Sequence, residues 1–350
     1  MFNRFNKQQL MMARRRDGMD GGGGGMGGGG GGGMGAACYV YPDAPATPGI
    51  VTPDVIYDRG IYMNGSVTMD DGRRVTIWGF SDGFQGGGMD ASGPFPSPAM
   101  RVRAGQIVHT NLNVQGMMWL HTIHHHGIEP SAESDGVGHI TWDVDGLYTY
   151  QWRPMYPGTY FYHCHTNTVL HAEMGMYGAL IVDPPEGPGR LFSNGPSYDV
   201  EAFWVVDEID SRWHTLSWDA GTCGQDVELN RLEPDYFLIT GVDGSGSSAM
   251  NLPPISANVQ VGQKLLARYI CAGYHPQRIN FGGLTGKVYI SDGRVLPNPI
   301  EVTELRAISG ERYDIIFEPT EPGEYVISTD ILDWVTGEVW GTAKTNVVVG

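Results

Sequence analysis

The chain has 350 residues and a formal net charge of −17, from 22 Lys and Arg against 39 Asp and Glu. Hydrophobic residues make up 41% and aromatic residues 11%, which excludes global disorder because a sizeable core can form. The acidic balance excludes a nucleic-acid binder, which needs a basic face. No apolar run approaches the roughly 20 residues that span a bilayer. At about 150 residues per domain, the length predicts two domains.

The first 37 residues differ in composition from the rest. They hold three consecutive arginines at 14–16 and a glycine tract that is interrupted by methionines at 19, 26 and 34. Such a tract buries too little apolar area to offset its backbone entropy, so we expect residues 1–37 to be a flexible Gly/Met-rich tail. No apolar segment follows the arginines, so a standard signal peptide is not expected. The thioethers are soft ligands that suit Cu(I), whereas incidental methionines in a disordered tail are the simpler interpretation.

Short apolar or alternating runs between Gly, Pro, Asp and Asn turns fill the chain from about residue 38. Regularly spaced short strands of this kind, without a long helical period, are typical of an all-β sandwich or barrel. Residues 183–189, which read DPPEGPG, support neither helix nor sheet and predict a linker. The expected strands are Arg101–Val108, Tyr148–Trp152, Thr159–His163, Gly178–Val182, Ile255–Val261, Leu265–Ile270, Lys287–Ile290, Arg312–Phe317 and Glu324–Ser328.

One internal repeat indicates a duplication. The segment YPGTYFYHCH at 156–165 matches EPGEYVISTD at 321–330. The preceding segment LYTYQWRPM at 147–155 likewise matches RYDIIFEPT at 312–320. We therefore expect one β fold used twice, with different chemistry on the same strand.

Histidines provide the strongest functional signal, because nine of the eleven lie between His109 and His171. Alternate side chains of a strand point to opposite faces, which divides the clustered residues into two ligand sets. The first set, which we call the Cys164 set, is His121, Cys164, His171 and Met176. The second set, which we call the histidine set, is His124, His126, His163 and His165.

Both sets suit copper. Two imidazoles, one thiolate and a thioether are the ligands of a blue, or type 1, copper site, in which Met is the weak axial ligand. Zinc more usually takes further Cys or His in place of Met. Four imidazoles on one face suit further copper ions. Because Cys164 is bonded in the chain to His163 and His165, the two sites would share a short covalent electron path.

Together, these motifs resemble those of the multicopper oxidase family. HTIHHHG looks like the H-x-x-H-x-H-G motif of that family, and PGTYFYHCH with the following H and GM looks like its H-C-H…H-x-x-x-G-M motif. Copper nitrite reductases share the Cys…His-x-x-x-Gly-Met part. The resemblance covers most of residues 75–350, and SGERYDIIFEPTEPGEY in the second half is similar to the copper-free middle domain of three-domain oxidases.

The resemblance implies a role for individual residues. The Cys164 set matches type 1 copper ligands, and the histidine set matches half of a trinuclear copper centre with type 2 and type 3 coppers. Asp135 resembles the acid near that centre that helps deliver protons to reduced oxygen, although a turn residue before Gly136 is an equal alternative. His125 replaces the usual aromatic residue and is expected to be structural rather than substrate-facing. The spacing from Cys164 to His171 lies between the spacings of familiar oxidases and of nitrite reductases.

The second half departs from the family pattern. A full trinuclear centre takes histidines from two facing copper domains, but the second half reads HPQRINFGG and VISTD there, with only His275 nearby. We therefore expect a laccase-like multicopper oxidase whose oxygen site is assembled between chains, as in a twofold homo-oligomer. Its partners would be a phenolic, amine or metal-ion electron donor and dioxygen. Two alternatives stay open: a nitrite-reductase-like enzyme, and a type 1 copper electron-transfer or copper-binding protein without oxidase activity.

The expected fold is a pair of cupredoxin-like Greek-key β-barrels, a copper-binding domain at 38–185 and a copper-free domain at 195–350. Copper chemistry favours a periplasmic or extracellular location, although no signal peptide is recognisable. Cys223 and Cys271 either pair in an oxidising compartment or are buried free thiols. Ordinary polar or core roles are expected for the isolated His109, His139, His214 and His275.

Overall fold

The computed structural model describes residues 51–83, 93–114, 120–138, 142–243 and 255–350. The expected tail at 1–37 and the isolated His139 lie outside these residues. Strands make up nearly all the regular structure, so the all-β prediction is confirmed. In the described part of the chain, no helix is long and apolar enough to cross a membrane.

Two four-stranded sheets and one short helix form the described first half. The strands are β1 (Val55–Thr68), β2 (Arg74–Asp82), β3 (Ser97–Arg103), β4 (Val108–Asn113), β5 (His124–His126), β6 (Leu147–Trp152), β7 (Gly158–His163) and β8 (Tyr177–Asp183). The helix is α1 (Thr168–Glu173), and a 3-10 turn covers Ala132–Ser134. The sheet orders are β2-β1-β4-β6 and β3-β8-β7-β5. Their facing apolar sides enclose a core that includes Trp78, Tyr150 and Cys164.

Twelve strands form two larger sheets in the described second half. They are β9 (Val200–Ile209), β10 (Tyr236–Ile239), β11 (Val242–Asp243), β12 (Ala257–Val259), β13 (Leu265–Cys271), β14 (Gln277–Asn280), β15 (Gly286–Ser291), β16 (Arg294–Val302), β17 (Glu304–Ala307), β18 (Arg312–Phe317), β19 (Gly323–Leu332) and β20 (Val339–Val349). A 3-10 turn covers Trp213–Thr215. The sheet orders are β11-β10-β9-β13-β18-β15-β16 and β12-β20-β19-β14-β17.

The two halves share one topology. The sheet β2-β1-β4-β6 has the same order and the same parallel and antiparallel pairings as β10-β9-β13-β18. The sheet β3-β8-β7-β5 corresponds in the same way to β12-β20-β19-β14. The remaining strands β11, β15, β16 and β17 extend sheet edges. The expectation of one β fold used twice is therefore confirmed, while the residue boundaries of the two domains stay a prediction.

A tyrosine fixes the same turn in both halves. The hydroxyl of Tyr160 donates to the carbonyl of Tyr156 at 2.9 Å, four residues earlier. The hydroxyl of Tyr325 donates to the carbonyl of Glu321 at 3.0 Å, also four residues earlier. These are matching positions of the internal repeat, so the repeated PG-x-Y pattern reflects a repeated contact that starts β7 and β19.

The run Arg101–Val108 is not one strand, so that prediction is wrong. The run is divided between β3 and β4 by a turn at Ala104–Gln106. Gly105 has a φ of +88° in this turn, a conformation that glycine adopts without a Cβ clash. Apolar residues lie on both sides of the turn, with Val102 before it and Ile107 and Val108 after it, which is why the pattern alone does not reveal the break.

A buried charged network joins the two halves beside β7. Arg268 of β13 bonds through Nε to Glu201 at 2.6 Å and through Nη1 to Asp314 at 3.0 Å. The same Nη1 donates to the hydroxyl of Thr159 on β7 at 3.0 Å. Arg101 of β3 reaches Glu201 at 2.7 Å from the first half. The HCH motif begins at His163, the last residue of β7. The network therefore helps to fix the strand that leads into this motif.

Replacing Arg268 tests how strongly the network holds the fold. We expect Arg268→Met to lower the free energy of unfolding by about 3–5 kcal/mol, because it leaves the buried Asp314 without its counter-charge. The matched control is Arg278→Met, since the Arg278–Asp330 pair at 2.6 Å has side chains that are 38% and 25% exposed. That loss should be much smaller, because water screens a pair that is partly exposed. Denaturant unfolding measures both, and equal losses would contradict the assignment.

Candidate metal centre

The register of β5 with β7 brings three histidines together. The two strands are antiparallel, with His124 opposite His163 and His126 opposite Phe161. His124 and His126 project from the same face of β5 because they are two residues apart. One nitrogen from each of His124, His126 and His163 lies within 4.8 Å of the other two, which is a separation that one metal ion can bridge.

Backbone carbonyls fix the protons on two of these rings. Nδ1 of His124 donates to the carbonyl of Asp135 at 2.7 Å, and Nδ1 of His163 donates to the carbonyl of Cys164 at 2.9 Å. A carbonyl can only accept, so each neutral ring holds its proton on Nδ1 and offers the lone pair of Nε2. Nε2 of His163 lies 3.2 Å from Nδ1 of His126, which places two ring nitrogens face to face.

Burial keeps the imidazoles of His126 and His163 neutral. It lowers the pKa of His163 well below its usual range. Burial, together with the nearby guanidinium of Arg312, lowers the pKa of His126 to about 3. Neutral imidazole is the form that ligates metals, so at neutral pH these rings are ready to bind without losing a proton.

His165 lies beside this group, although it is not one of the three histidines whose nitrogens all lie within 4.8 Å of one another. Its ring centroid is 5.6 Å from that of His124 and 5.7 Å from that of His163. Its Nδ1 lies 3.1 Å from the hydroxyl of Thr168, at the start of α1. Although β7 ends at His163, the ring of His165 still stacks on that of His163, as alternation along a strand expects.

Asp135 stands next to His124 at the solvent side of the group. Its carboxylate Oδ1 is 3.4 Å from Nδ1 of His124, in addition to the carbonyl contact, and its side chain is 34% exposed. The residue also ends the 3-10 turn at Ala132–Ser134, so it has the position of a turn residue as well. The carboxylate therefore lies between water and the histidines.

The middle histidine of the HHH run points the other way. His125 is fully buried, with Nε2 at 3.0 Å from the hydroxyl of Thr110 and its ring 4.6 Å from that of Trp152. It lies on the opposite face of β5 from His124 and His126, within the core of the first half. Of the two roles considered for this residue, this position agrees with the structural one.

The Cys164 set forms a second, fully buried group. The Cys164 Sγ lies 3.3 Å from Nδ1 of His171 and 3.7 Å from Nδ1 of His121, and none of these three side chains is exposed. All three ligand atoms lie within 4.8 Å of one another. His121 comes from the segment before β5, whereas His171 comes from α1.

Met176 is bound to this group through its backbone. Its N–H donates to the carbonyl of His171 at 3.1 Å, and its carbonyl accepts from the N–H of Cys164 at 3.0 Å. The preceding Gly175 has a φ of +103°, and a Cβ there would lie 2.8 Å from the ring of Phe95. The Gly-Met pair therefore provides the tight return from α1 to β8 that brings Met176 beside His171 and Cys164.

The tautomer of His171 is fixed by a residue of the second half. Its Nε2 donates to the carbonyl of Trp218 at 2.9 Å, so Nδ1 presents its lone pair to Cys164. Nε2 of His121 is buried and has no hydrogen-bond partner among the described residues. Sequence reasoning missed Trp218, and no side-chain pattern signals it because the contact uses a backbone oxygen.

The protonation of the Cys164 set suits a soft metal cation. Burial raises the pKa of the Cys164 thiol to about 11 and lowers that of His171 to about 4. Burial also lowers the pKa of His121 well below its usual range. The metal-free group is thus one thiol facing two neutral imidazole nitrogens, and a cation would replace the thiol proton. This donor set, with Met176 adjacent, fits copper of the type 1 kind.

The second half keeps the frame but not the ligands. Asn280 and Ser328 pair across β14 and β19 where His124 and His163 pair across β5 and β7. By the same register, the position of Cys164 is taken by Thr329. Among the described residues, the groups of three or more His, Cys, Asp or Glu able to hold a metal are the two in the first half.

The structure also describes Cys223, Cys271 and three of the four isolated histidines. Cys271 is a free, fully buried thiol, whereas Cys223 is half-buried and disulfide-bonded. Both alternatives, a Cys223–Cys271 pair and two buried free thiols, are therefore wrong. The isolated His109, His214 and His275 are buried and hydrogen-bonded to Gln151, Thr76 and Glu208, which agrees with ordinary core roles.

Comparisons with known proteins agree with this site. Residues 64–187 match the family model described as multicopper oxidase. The chain is 28% identical to copper resistance protein A of Pseudomonas syringae pv. tomato over 73% of this chain and 46% of that protein. It is 34% identical to L-ascorbate oxidase of Cucumis sativus over 44% of this chain and 26% of that protein. The chain thus spans less than half of the length of these curated relatives.

Solved structures show the same fold. A blue copper oxidase from Nitrosomonas europaea superimposes with a TM-score of 0.65 at 24% identity, over 84% of this chain and 86% of that one. A copper nitrite reductase from Nitrosomonas europaea superimposes with a TM-score of 0.62 at 16% identity, over 85% and 93%. The cupredoxin-like fold is therefore confirmed. The resemblance found in the motifs is confirmed as well, since residues 64–187 match the multicopper oxidase family model.

Proposed function

We propose that this protein is a copper-dependent oxidoreductase of the multicopper oxidase type. It takes electrons from a phenolic, amine or metal-ion donor at the Cys164 set and reduces dioxygen to water at the histidine set. Four electrons and four protons are consumed for each dioxygen and two waters are formed. The observation that carries the proposal is the placement of the Cys164 thiol and the His163 imidazole on adjacent residues, each within its own metal-sized group.

Copper would supply the one-electron redox chemistry at both sets, and the side chains of this chain prepare the place for it. Cys164, His121 and His171 exclude water completely, which favours a site that changes charge with little solvent reorganisation. The peptide between His163 and Cys164 is the short covalent route from one set to the other. Asp135 holds a carboxylate 3.4 Å from His124 and open to solvent, from which it would pass protons toward the histidines.

The oxygen site is completed between chains in this proposal. The first half offers four imidazoles, whereas the matching positions of the second half hold residues such as Asn280 and Ser328. Two first halves that face each other across a twofold axis would supply both halves of the centre. His124, His126 and His165 are half-buried rather than enclosed, which leaves a face for the partner chain.

Two other functions are distinguishable from this one. An electron-transfer or copper-binding protein would use the Cys164 set alone, which the lack of second-half ligands among the described residues favours. A nitrite-reductase-like enzyme would hold one catalytic copper on the histidine set, and the fold alone is shared with such an enzyme.

Cys164→Ser separates the two sets. We expect the loss of blue absorbance, because the intense colour requires a copper–thiolate bond, while much of the metal binding to the histidine set is retained. Visible spectra and copper analysis of the purified variant measure both. Blue colour that survives this change would show that the ligand assignment is wrong.

His124→Ala should have the opposite effect. The blue absorbance should persist because none of the buried Cys164 group is altered, while oxygen consumption with a reducing donor should fall to background. An oxygen electrode measures the rate. His125→Ala is not a suitable control because His125 lies in the core, so Arg278→Ala, at a partly exposed residue of the second half, serves instead. Full oxygen consumption by His124→Ala would exclude the histidine set as the oxygen site.

Copper content and mass in solution test the assembly. About 2.5 coppers per chain in a blue oligomer would correspond to one type 1 copper each and one trinuclear centre shared by two chains. About one copper per chain in a blue monomer would exclude the oxidase and leave the electron-transfer function. Metal analysis combined with light scattering gives both values on one sample.

A further inference from the structure

A segment of the second half covers the outer edge of the Cys164 set. Residues 213–232, which we call the cover segment, leave β9 and return toward β10. Its side chains that pack against the core of the first half are Trp213, Leu216, Trp218, Ala220, Val227, Leu229 and Leu232. This core includes Cys164 and Met176, so the cover segment packs on the domain that holds the copper ligands.

Three hydrogen bonds attach the cover segment at His171. The carbonyl of Trp218 accepts from Nε2 of His171 at 2.9 Å. The side-chain amide of Asn167 donates to the carbonyls of Trp218 and Ala220, both at 3.1 Å. Asn167 directly precedes α1 and has a φ of +42°, a left-handed conformation that asparagine tolerates. His171 is consequently 0% exposed and has its second nitrogen already bonded.

This arrangement controls how an electron donor can reach His171. The Trp218 carbonyl occupies the position next to Nε2. It therefore blocks donors that react only by direct contact with the imidazole or by bonding to Nε2. The available route runs from the half-buried Trp218 through its peptide and one hydrogen bond to His171. The electron lost by the donor arrives at the Cys164 set, and no bond forms or breaks.

The surface charge of the cover segment is negative. It carries three carboxylates, from Asp219, Asp226 and Glu228, against one guanidinium, from Arg231. Asp219 follows Trp218 directly in the chain. A negative surface on a chain with a net charge of −17 raises the local concentration of cations and lowers that of anions.

We propose that the cover segment, held by Asn167, restricts electron donors to those that react without touching His171, and favours cationic metal donors over phenols and amines. The restriction rests on the proposed function, because it names the donor class of the same Cys164 set. Asn167 is a positioning residue here, since it acts through the Trp218 carbonyl.

Chemical modification of the metal-free protein tests the cover directly. With diethyl pyrocarbonate, His171 should react at least about tenfold more slowly than the half-buried His165 in the same sample, as mass spectrometry of peptides reports. Asn167→Gly keeps the left-handed backbone and removes both amide hydrogen bonds, so it should raise the His171 rate about tenfold. Thr215→Ala is the matched control, because this exposed residue of the same segment bonds only to the Arg212 carbonyl.

Measurements on the wild-type protein alone can contradict the proposal that the segment covers His171. Equal modification of His171 and His165 would show that the edge is open, whether or not any variant folds. An Asn167→Gly rate equal to that of Thr215→Ala would show that Asn167 does not hold the segment. Neither measurement requires copper, so a failure of the proposed oxidase function would not be confused with a failure of the cover.

Donor comparison on the copper-loaded protein tests the selectivity. Hexaammineruthenium(II), a cation that reacts without contact, should bleach the blue absorbance faster than hydroquinone, and added salt should slow it. Asn167→Gly should increase the hydroquinone rate several-fold relative to the ruthenium rate. Equal rates of reduction by hydroquinone in the wild-type protein and in Asn167→Gly would contradict the restriction. Absence of blue colour would instead contradict the proposed function.

Discussion

The alternation of side chains at the end of β7 is the constraint on which the rest of the site depends. His163 is the last residue of the strand, and its register partner His124 lies directly across β5. The next residue, Cys164, turns to the opposite side and meets His121 and His171 in the core. Adjacent residues thus belong to two separate groups: the histidine set, which is partly exposed, and the Cys164 set, which is buried. Any shift of β7 by one residue would exchange the faces and destroy both groups.

Backbone carbonyls decide which histidine nitrogens are offered. His124, His163 and His171 each donate one ring proton to a carbonyl, from Asp135, Cys164 and Trp218 respectively. A neutral imidazole has one proton, so each bond leaves the other nitrogen free to ligate. The loops that carry these carbonyls therefore contribute to ligand geometry as directly as the ligands do. They include a loop of the second half, which has no metal group of its own among the described residues.

Most of the fold and the division into two sets could be predicted from the sequence, because both follow from local rules. Strand parity is local, and it places His124 and His126 on one face of β5, as the register with β7 has them. It also places His165 on the face of His163, and the two rings stack with centroids 5.7 Å apart beside the hydroxyl of Thr168. The break at Gly105 was missed because apolar residues lie on both sides of the turn. The Trp218 contact was invisible because a backbone oxygen leaves no mark on side-chain pattern, and only tertiary structure brings it to His171.

The duplication explains how the second half can support the metal centre of the first half without carrying metal ligands itself. The second half repeats the sheet order and the tyrosine turn of the first, so a stable frame does not require copper ligands. Its corresponding positions, such as Thr329 for Cys164, keep small polar side chains. What the second half adds is a set of contacts to the first half: Arg268 of β13, which fixes Thr159 of β7, and the cover segment over His171. A copper-free copy can change these contacts without disturbing the ligands. Control over strand position and donor access therefore resides in the half that binds no metal in this proposal, and the chemistry resides in the other.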